Sequence, residues 1–364
     1  MASTKGSIYT VGDVESDEVH HSLARMRFIM ARTSILFLFI VSLILATFEF
    51  TKMYHGMHVR IQTSSTGLET FEPTSYFFHK STAINNRLTK LVGLNWTSPQ
   101  RPTIGKCTVA HGKHNEAYQR AIDTHLAHSK VNGYTMFLLH QPILDGLWSK
   151  EAALLEVLLL QLAKPAEERL EWLMWFDADT VIINKLISLE IFLPPAHRPD
   201  VHLLFTKDWN GLNNGVFLIK VSAWSVDFVS SIVSFRTYRP EEELEFTEQS
   251  AMEKVMQMDQ YKDHVVQCPS QWWNAYPNDG GEENVHFDHR PGQLLVHSAG
   301  IGDKGKVIDE WLGKLAHQRY LYAMPASGTN YKEQIEAFWR GLDEEREAND
   351  DNDTKDDPRR ALWD

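Results

Sequence analysis

The chain has 364 residues, 43% of them hydrophobic, enough for one large packed domain or two small ones. Its formal charge of −12 excludes a basic nucleic-acid-binding surface, and 20 Gly with 14 Pro exclude a collagen-like or proline-rich chain. Two cysteines, Cys107 and Cys268, cannot build a disulfide scaffold or a four-thiolate zinc site.

Thr33 to Phe48 is a run of sixteen residues without a charge. A bilayer core takes about 20 apolar residues, so the span 33–50 fits a short transmembrane helix. The run ends Ala46-Thr47-Phe48-Glu49-Phe50, a poor cleavage site, so an uncleaved signal anchor is expected. Arg25, Arg27 and Arg32 crowd its N-terminal side, while Lys52 and Arg60 follow more sparsely. The positive-inside rule then leaves residues 1–32 in the cytosol and the remainder in the lumen. Asn95-Trp96-Thr97 and Asn352-Asp353-Thr354 are glycosylation sequons in that lumenal part.

Residues 51–100 are polar, rich in Ser and Thr, and read as a stem. A catalytic domain is expected over 101–325. Its strands fit Cys107–Ala110, Tyr134–Leu139, Leu173–Phe176, His202–Thr206, Gly215–Lys220 and His264–Cys268. Helices fit Asn115 to Val131, stopped by Gly133, and Lys150 to Ala163, capped by Ser149. Strands alternating with helices predict an α/β fold on a mostly parallel sheet. Residues 326–364 hold one further helix, Tyr331–Leu342, and an acidic tail. Between Asp343 and Asp357 nine acids face only Arg346 and Lys355, which supplies −7 of the −12. Such a tail is expected to be disordered and solvating.

The most informative stretch runs from Trp172 to Asn184, where an apolar strand ends in Asp177-Ala178-Asp179. Ligands of open α/β sheets gather at the carboxyl ends of strands. Two carboxylates there offer hard oxygen ligands to Mg²⁺ or Mn²⁺, which can bridge a substrate diphosphate. An Asx turn is the plainer reading of the same residues. Two chemistries use this arrangement: transfer from a nucleotide sugar, and phosphoryl transfer of the phosphatase type. The second expects its Asp-x-Asp on the first strand, whereas here about 70 residues of strand and helix precede it. Its later acidic motif is met only by Gly302-Asp303 with Asp309, at the wrong interval. A magnesium-dependent phosphotransferase is therefore the minor alternative.

Six ordered segments together resemble glycosyltransferase family 34. They are Gly146–Lys150, Trp175–Asp179, Gly211–Leu218, Gln249–Met252, Trp273–Tyr276 and Leu294–Gly300, within roughly Thr103 to Leu321. The resemblance implies a GT-A, Rossmann-like nucleotide-sugar-binding domain that transfers a hexosyl residue with retention of configuration. It implies Asp177, Asp179 and His297 as metal ligands, a set that suits Mn²⁺ better than Mg²⁺. It also implies Asp177, Lys150, Asn213, Asn214, Gly215, Gly300, Lys304 and Ala110 on the donor, with Lys150 and Lys304 facing its phosphates. Gln249 and Glu248 would stand near the reacting carbon. Glu248 departs from the usual Asp, and Ser298 stands where Phe is usual. Galactose from UDP-galactose, passed to a mannose-containing glycan, is the favoured reaction. The alternative is a GDP-mannose-dependent mannosyltransferase subunit in a complex with related glycosyltransferases. An anchor, a stem and this domain fit a type II membrane protein of the Golgi. This topology predicts a protein that retains its N-terminus and whose C-terminal region resists protease in intact Golgi vesicles; N-terminal sequencing and protease protection check it.

Overall fold

The computed structural model describes residues 59–73, 103–112, 115–277 and 292–355. The Thr33–Phe48 run and Asn95 lie outside them, and among the described residues no helix is long and apolar enough to cross a membrane. An eight-stranded sheet forms the frame. Its strands are β1 (Val59–Thr63), β2 (Leu68–Pro73), β3 (Ile104–Val109), β4 (Thr135–Leu139), β5 (Trp172–Phe176), β7 (Leu203–Asp208), β8 (Gly211–Lys220) and β9 (Val265–Gln267). They lie in the order β1-β2-β4-β3-β5-β8-β7-β9. Two short strands, β6 (Thr180–Ile182) and β10 (Leu295–His297), pair separately.

The expected α/β class holds, but the sheet is mixed and not mostly parallel. β3 lies parallel to β4 and β5, and β7 lies parallel to β9, while β5–β8, β7–β8, β1–β2 and β2–β4 are antiparallel. The cause is legible at one turn. Asp208 pairs with Gly211, so Trp209 and Asn210 alone connect β7 to β8. A two-residue connection can only reverse the chain, and Asn210-Gly211 is a strong hairpin dipeptide. Gly211 takes φ 101, a left-handed conformation that favours glycine.

Each central strand is buried on both faces. On β5, Leu173 and Trp175 join one apolar cluster, and Trp172, Met174 and Phe176 join another. The first cluster takes in helices α2 (Ser149–Leu162), α3 (Ala223–Tyr238) and α4 (Glu248–Met256). The second takes in Ile122 of α1 (Glu116–Asn132), Trp272, Trp273, and Tyr331, Ile335 and Trp339 of α6 (Tyr331–Lys355). A continuous apolar run at β5 follows from this three-layer arrangement, because neither face meets water. α1 starts where the Asn115 side chain accepts from the N–H groups of Ala117 and Tyr118, and it ends at Gly133, φ 80. Ser149 is not the cap of α2 but its first residue; its hydroxyl bonds the backbone of Leu144 instead.

Three other expectations change. The segment read as a stem contributes β1 and β2, and β2 adds to the sheet edge with Leu68 fully buried. The last helix does not stop at Leu342 but runs to Lys355, so residues 343–355 are helical. Asp343 pairs with His197 at 2.8 Å and Arg198 at 3.1 Å, and Arg346 pairs with Asp200 at 3.3 Å. These ion pairs fasten the first acids of the tail to the 197–200 loop. Cys107 and Cys268 are buried free thiols in different apolar clusters.

Tyr331 joins α6 to the approach of β10. Its hydroxyl donates to the Trp272 carbonyl at 3.0 Å and accepts from Leu294 N–H at 3.0 Å. The side chain is buried, so Tyr331→Phe strands two backbone groups. The expected cost is about 1–3 kcal/mol, measured by denaturant unfolding.

Candidate metal and donor site

β5 delivers the two carboxylates. Asp177 follows its last residue and donates its N–H to the Gly215 carbonyl at 2.7 Å, extending the β5–β8 ladder by one bond. The turn through Asp179 into β6 is tied from below. Thr180 donates both its N–H, at 3.1 Å, and its hydroxyl, at 2.7 Å, to the Asp177 carbonyl. With its only hydrogen so used, the Thr180 oxygen accepts from His125 Nε2 at 2.9 Å. The His125 ring stacks on Phe176 at 3.6 Å.

β10 delivers His297. It pairs antiparallel with β6, His297 opposite Thr180, and Ser298 N–H reaches the Asp179 carbonyl at 3.1 Å. One ligand atom from each of Asp177, Asp179 and His297 lies within 4.8 Å of the others. His297 Nε2 stands 3.4 Å from Asp179 Oδ1, and Lys304 Nζ stands 2.6 Å from Asp179 Oδ2. Asp179 is buried, which alone would push its carboxyl up. The imidazole and the ammonium outweigh burial and hold it below the ordinary carboxylate range. Two carboxylate oxygens and an imidazole nitrogen within 4.8 Å of one another fit a divalent cation of the Mn²⁺ kind.

Lys150 is hydrogen-bonded within the protein. Its buried ammonium donates to the Asn214 carbonyl at 2.5 Å and to Asp177 Oδ1 at 3.3 Å, above the rings of Trp175 and Phe217. Trp175 Nε1–H also reaches Asp177 Oδ1, at 2.8 Å. Lys150 therefore orients Asp177. Lys304, at the start of α5 (Lys304–Tyr322), keeps 36% of its side chain exposed and is the cation nearer to solvent.

Asn213, Asn214 and Gly215 lie within β8. Gly215 matters for the space it leaves. A Cβ there would stand 2.2 Å from His297 Cε1, a contact no side chain survives. Asn214 N–H donates to Gln249 Oε1 at 3.2 Å, which brings α4 to the same strand. Glu248 is buried at the head of α4 and accepts from the Thr247 hydroxyl; Thr247 has φ 50, a strained value for a β-branched residue. Gly300 turns with φ 69 close to Trp209, and Ala110 follows β3, its N–H on the Leu139 carbonyl. Asp309 pairs with Arg120 at the exposed surface, so it does not complete a phosphatase-type acidic set. Trp272 and Trp273 are core, and Trp209 is 61% exposed.

Sequence reasoning missed Glu151, a fully buried carboxyl with neither oxygen hydrogen-bonded. Burial raises its pKa well above the ordinary range against the pull of Lys150, and Glu248 raises it further. It also gave no role to Asp208, Asn274 and Tyr276, although Trp273–Tyr276 stood out as a motif.

Residues 194–307 match the model of the galactosyl transferase GMA12/MNN10 family, a stretch that holds the last four of the six motif segments. The match contains Asn213, Gly215, Gln249, His297 and Lys304; Lys150, Asp177 and Asp179 precede it. Galactomannan galactosyltransferase 1 of Cyamopsis tetragonoloba is 31% identical over 115 residues, 30% of this chain and 25% of that protein. Xyloglucan 6-xylosyltransferase 4 of Arabidopsis thaliana is 28% identical over 121 residues, 31% of this chain and 22% of that protein. The chain thus spans about a quarter of the length of these curated relatives. Among solved structures, a glycosyltransferase involved in glycosylation of the major capsid of PBCV-1 superimposes with a TM-score of 0.46 at 15% identity, covering 57% of this chain and all of that one.

Gly215→Ala forces the imidazole out of its seat while leaving the β5–β8 ladder its backbone bonds. The expected result is Mn²⁺ binding weakened by about 10–100-fold in a protein that still unfolds cooperatively, read by calorimetric titration and thermal melts.

Proposed function

We propose that this chain is a metal-dependent glycosyltransferase that moves a hexosyl residue from a nucleotide diphosphate sugar to a glycan with retention of configuration. The observation that carries the reading is the convergence of Asp177, Asp179 and His297 at the carboxyl end of β5. Asp177, Asp179 and His297 would hold the ion, Mn²⁺ before Mg²⁺. Such an ion, when bound, neutralises charge that develops on the leaving diphosphate.

The chain's own groups complete the site. Lys304 sets a positive charge beside Asp179 at the half-exposed edge, where a diphosphate oxygen can reach it. Lys150 keeps Asp177 oriented from beneath. Gln249 is held to β8 through the Asn214 N–H, so an amide and the neighbouring Glu248 carboxylate stand next to the strand that carries the site. Those two are the candidates for contact with the reacting sugar carbon. Galactose from UDP-galactose is the favoured transfer, with a mannose-containing glycan as acceptor. GDP-mannose is the second donor, in a mannosyltransferase subunit associated with related enzymes. A signal anchor over 33–50 would hold the enzyme in the Golgi membrane with its catalytic part lumenal.

The test is donor hydrolysis by the full chain in detergent, with Mn²⁺ and with UDP-galactose, GDP-mannose or UDP-xylose. UDP-galactose should be cleaved fastest, and chelation should stop the reaction. Hydrolysis of GDP-mannose alone would overturn the donor choice. Asp179→Asn keeps the side-chain shape and should lower turnover by about 100-fold or more, the scale of losing a preorganised charge-stabilising group. Near-normal, metal-stimulated turnover in that variant would end the assignment.

A further inference from the structure

We infer that Asn274 is a positioning residue that fixes which imidazole nitrogen of His297 faces the two carboxylates, and that an amide chain reaching back to Asp208 fixes Asn274 in turn. The inference rests on reading Asp177, Asp179 and His297 as a metal centre.

The direction of every bond in the chain follows from two groups whose roles cannot change. The first is the backbone N–H of Gly215, which can only donate; it meets Asn213 Oδ1 at 3.0 Å. The second is the Asp208 carboxylate, an acceptor only; it lies 2.8 Å from Asn213 Nδ2. Both ends of the Asn213 amide are thereby assigned. Asn274 Nδ2 comes next, 3.0 Å from Asn213 Oδ1 and 2.7 Å from Thr206 Oγ1. An oxygen already assigned as an acceptor requires a donor opposite it, so the NH₂ end of Asn274 points that way. Its oxygen then faces His297 Nδ1 at 2.7 Å. Nδ1 must carry the hydrogen.

The remaining nitrogen, Nε2, is the one aimed at Asp179. In the neutral ring it presents a lone pair, which is what a cation held by the two carboxylates needs as a third ligand. Asn213, Asn274 and His297 are all buried, so water does not substitute for a misplaced amide. Tyr276 braces the same assembly from the side. Its hydroxyl donates to Asp208 Oδ2 at 2.7 Å and accepts from Asn213 Nδ2 at 2.5 Å, while its ring stacks 5.8 Å from that of His297. The segment Trp273-Asn274-Ala275-Tyr276 thus acts on the site through His297, not by touching the donor.

The full chain, labelled with ¹⁵N-histidine and free of metal, reports the tautomer directly by NMR under mildly alkaline conditions. His297 is assigned from the signal lost in His297→Asn. The Nδ1-protonated form is expected in the unaltered protein, and an Nε2-protonated ring would overturn the inference. Mn²⁺ titration without donor gives the second measurement. Asn274→Leu removes the acceptor and should weaken Mn²⁺ binding by about 10–100-fold. Asn274→Asp keeps an acceptor at Nδ1 and should recover most of that loss. Affinity in Asn274→Leu equal to that of the unaltered chain would overturn the positioning role, whatever its thermal stability. An unaltered chain that takes up no Mn²⁺ would refute the metal reading instead, and the tautomer in metal-free protein would still decide the orientation.

Discussion

The bond from Asp177 N–H to the Gly215 carbonyl is the constraint on which the site depends. It is the last rung between β5 and β8, and it sets the first carboxylate against a residue that has no side chain. From that rung the rest follows by strand geometry. β5 cannot continue, because the next residues turn into β6, and β6 must pair with β10 to satisfy its own backbone. That pairing places His297 opposite Thr180, one residue from Asp179. The imidazole then needs a place to lie, and the missing Cβ of Gly215 supplies it. A loop alone would not hold three ligand atoms within one ion's reach; two strand pairings crossing at a glycine do.

Charge balance explains how so many ionisable groups coexist under one turn. Asp177 is matched by Lys150, and Asp179 by Lys304. Opposite charges within about 4 Å offset a desolvation that would otherwise neutralise the carboxylates. The two lysines divide the work by exposure. Lys150 is sealed beneath Trp175 and Phe217 and cannot leave Asp177 without stranding a buried charge. Lys304 borders solvent and can turn to an incoming anion at lower cost. Glu151 has no such match, and burial pushes its carboxyl well above the ordinary range.

Much of the fold was legible because the apolar runs are long and their stops are chemical. Asn115 and Gly133 bound α1 by side-chain capping and left-handed φ, both visible in residue type. The sense of the sheet was not legible from alternation alone. Asn210-Gly211 carried the information, but the turn was overshadowed by the motif that follows it. The hairpin β1–β2 escaped because, among its described side chains, only Leu68 is deeply buried and the pair shows little period. The acidic helix escaped for the opposite reason: composition argued for solvation, and a few ion pairs to 197–200 start the segment in helical register. At the site, the carboxylates and the histidine were readable from the motif segments. Roles were less so. Lys150 and Asn213 look like ligand-binding residues in a list of polar side chains, and only the geometry shows their bonds within the protein, Lys150 to Asn214 and Asp177 and Asn213 to Asp208 and Tyr276.

β8 joins the two halves of the proposed chemistry by the alternation of a strand. Asn213 and Gly215 point to the His297 side, where one supplies an acceptor and the other an empty space. Asn214, between them, serves the opposite side through its backbone: its carbonyl takes Lys150 and its N–H takes Gln249. The candidate metal ligands and the residues proposed to stand near the reacting carbon therefore both contact β8, the first through Gly215 and the second through Asn214. A strand built into the middle of an eight-stranded sheet cannot shift one residue without reversing all of its faces. The separation of the three candidate ligands from α4 is consequently set by the sheet, while Lys304 and Trp209 are the exposed side chains at its edge. The proposed transfer asks for this arrangement, since preorganised electrostatics requires the candidate ligands and the head of α4 to keep a fixed separation.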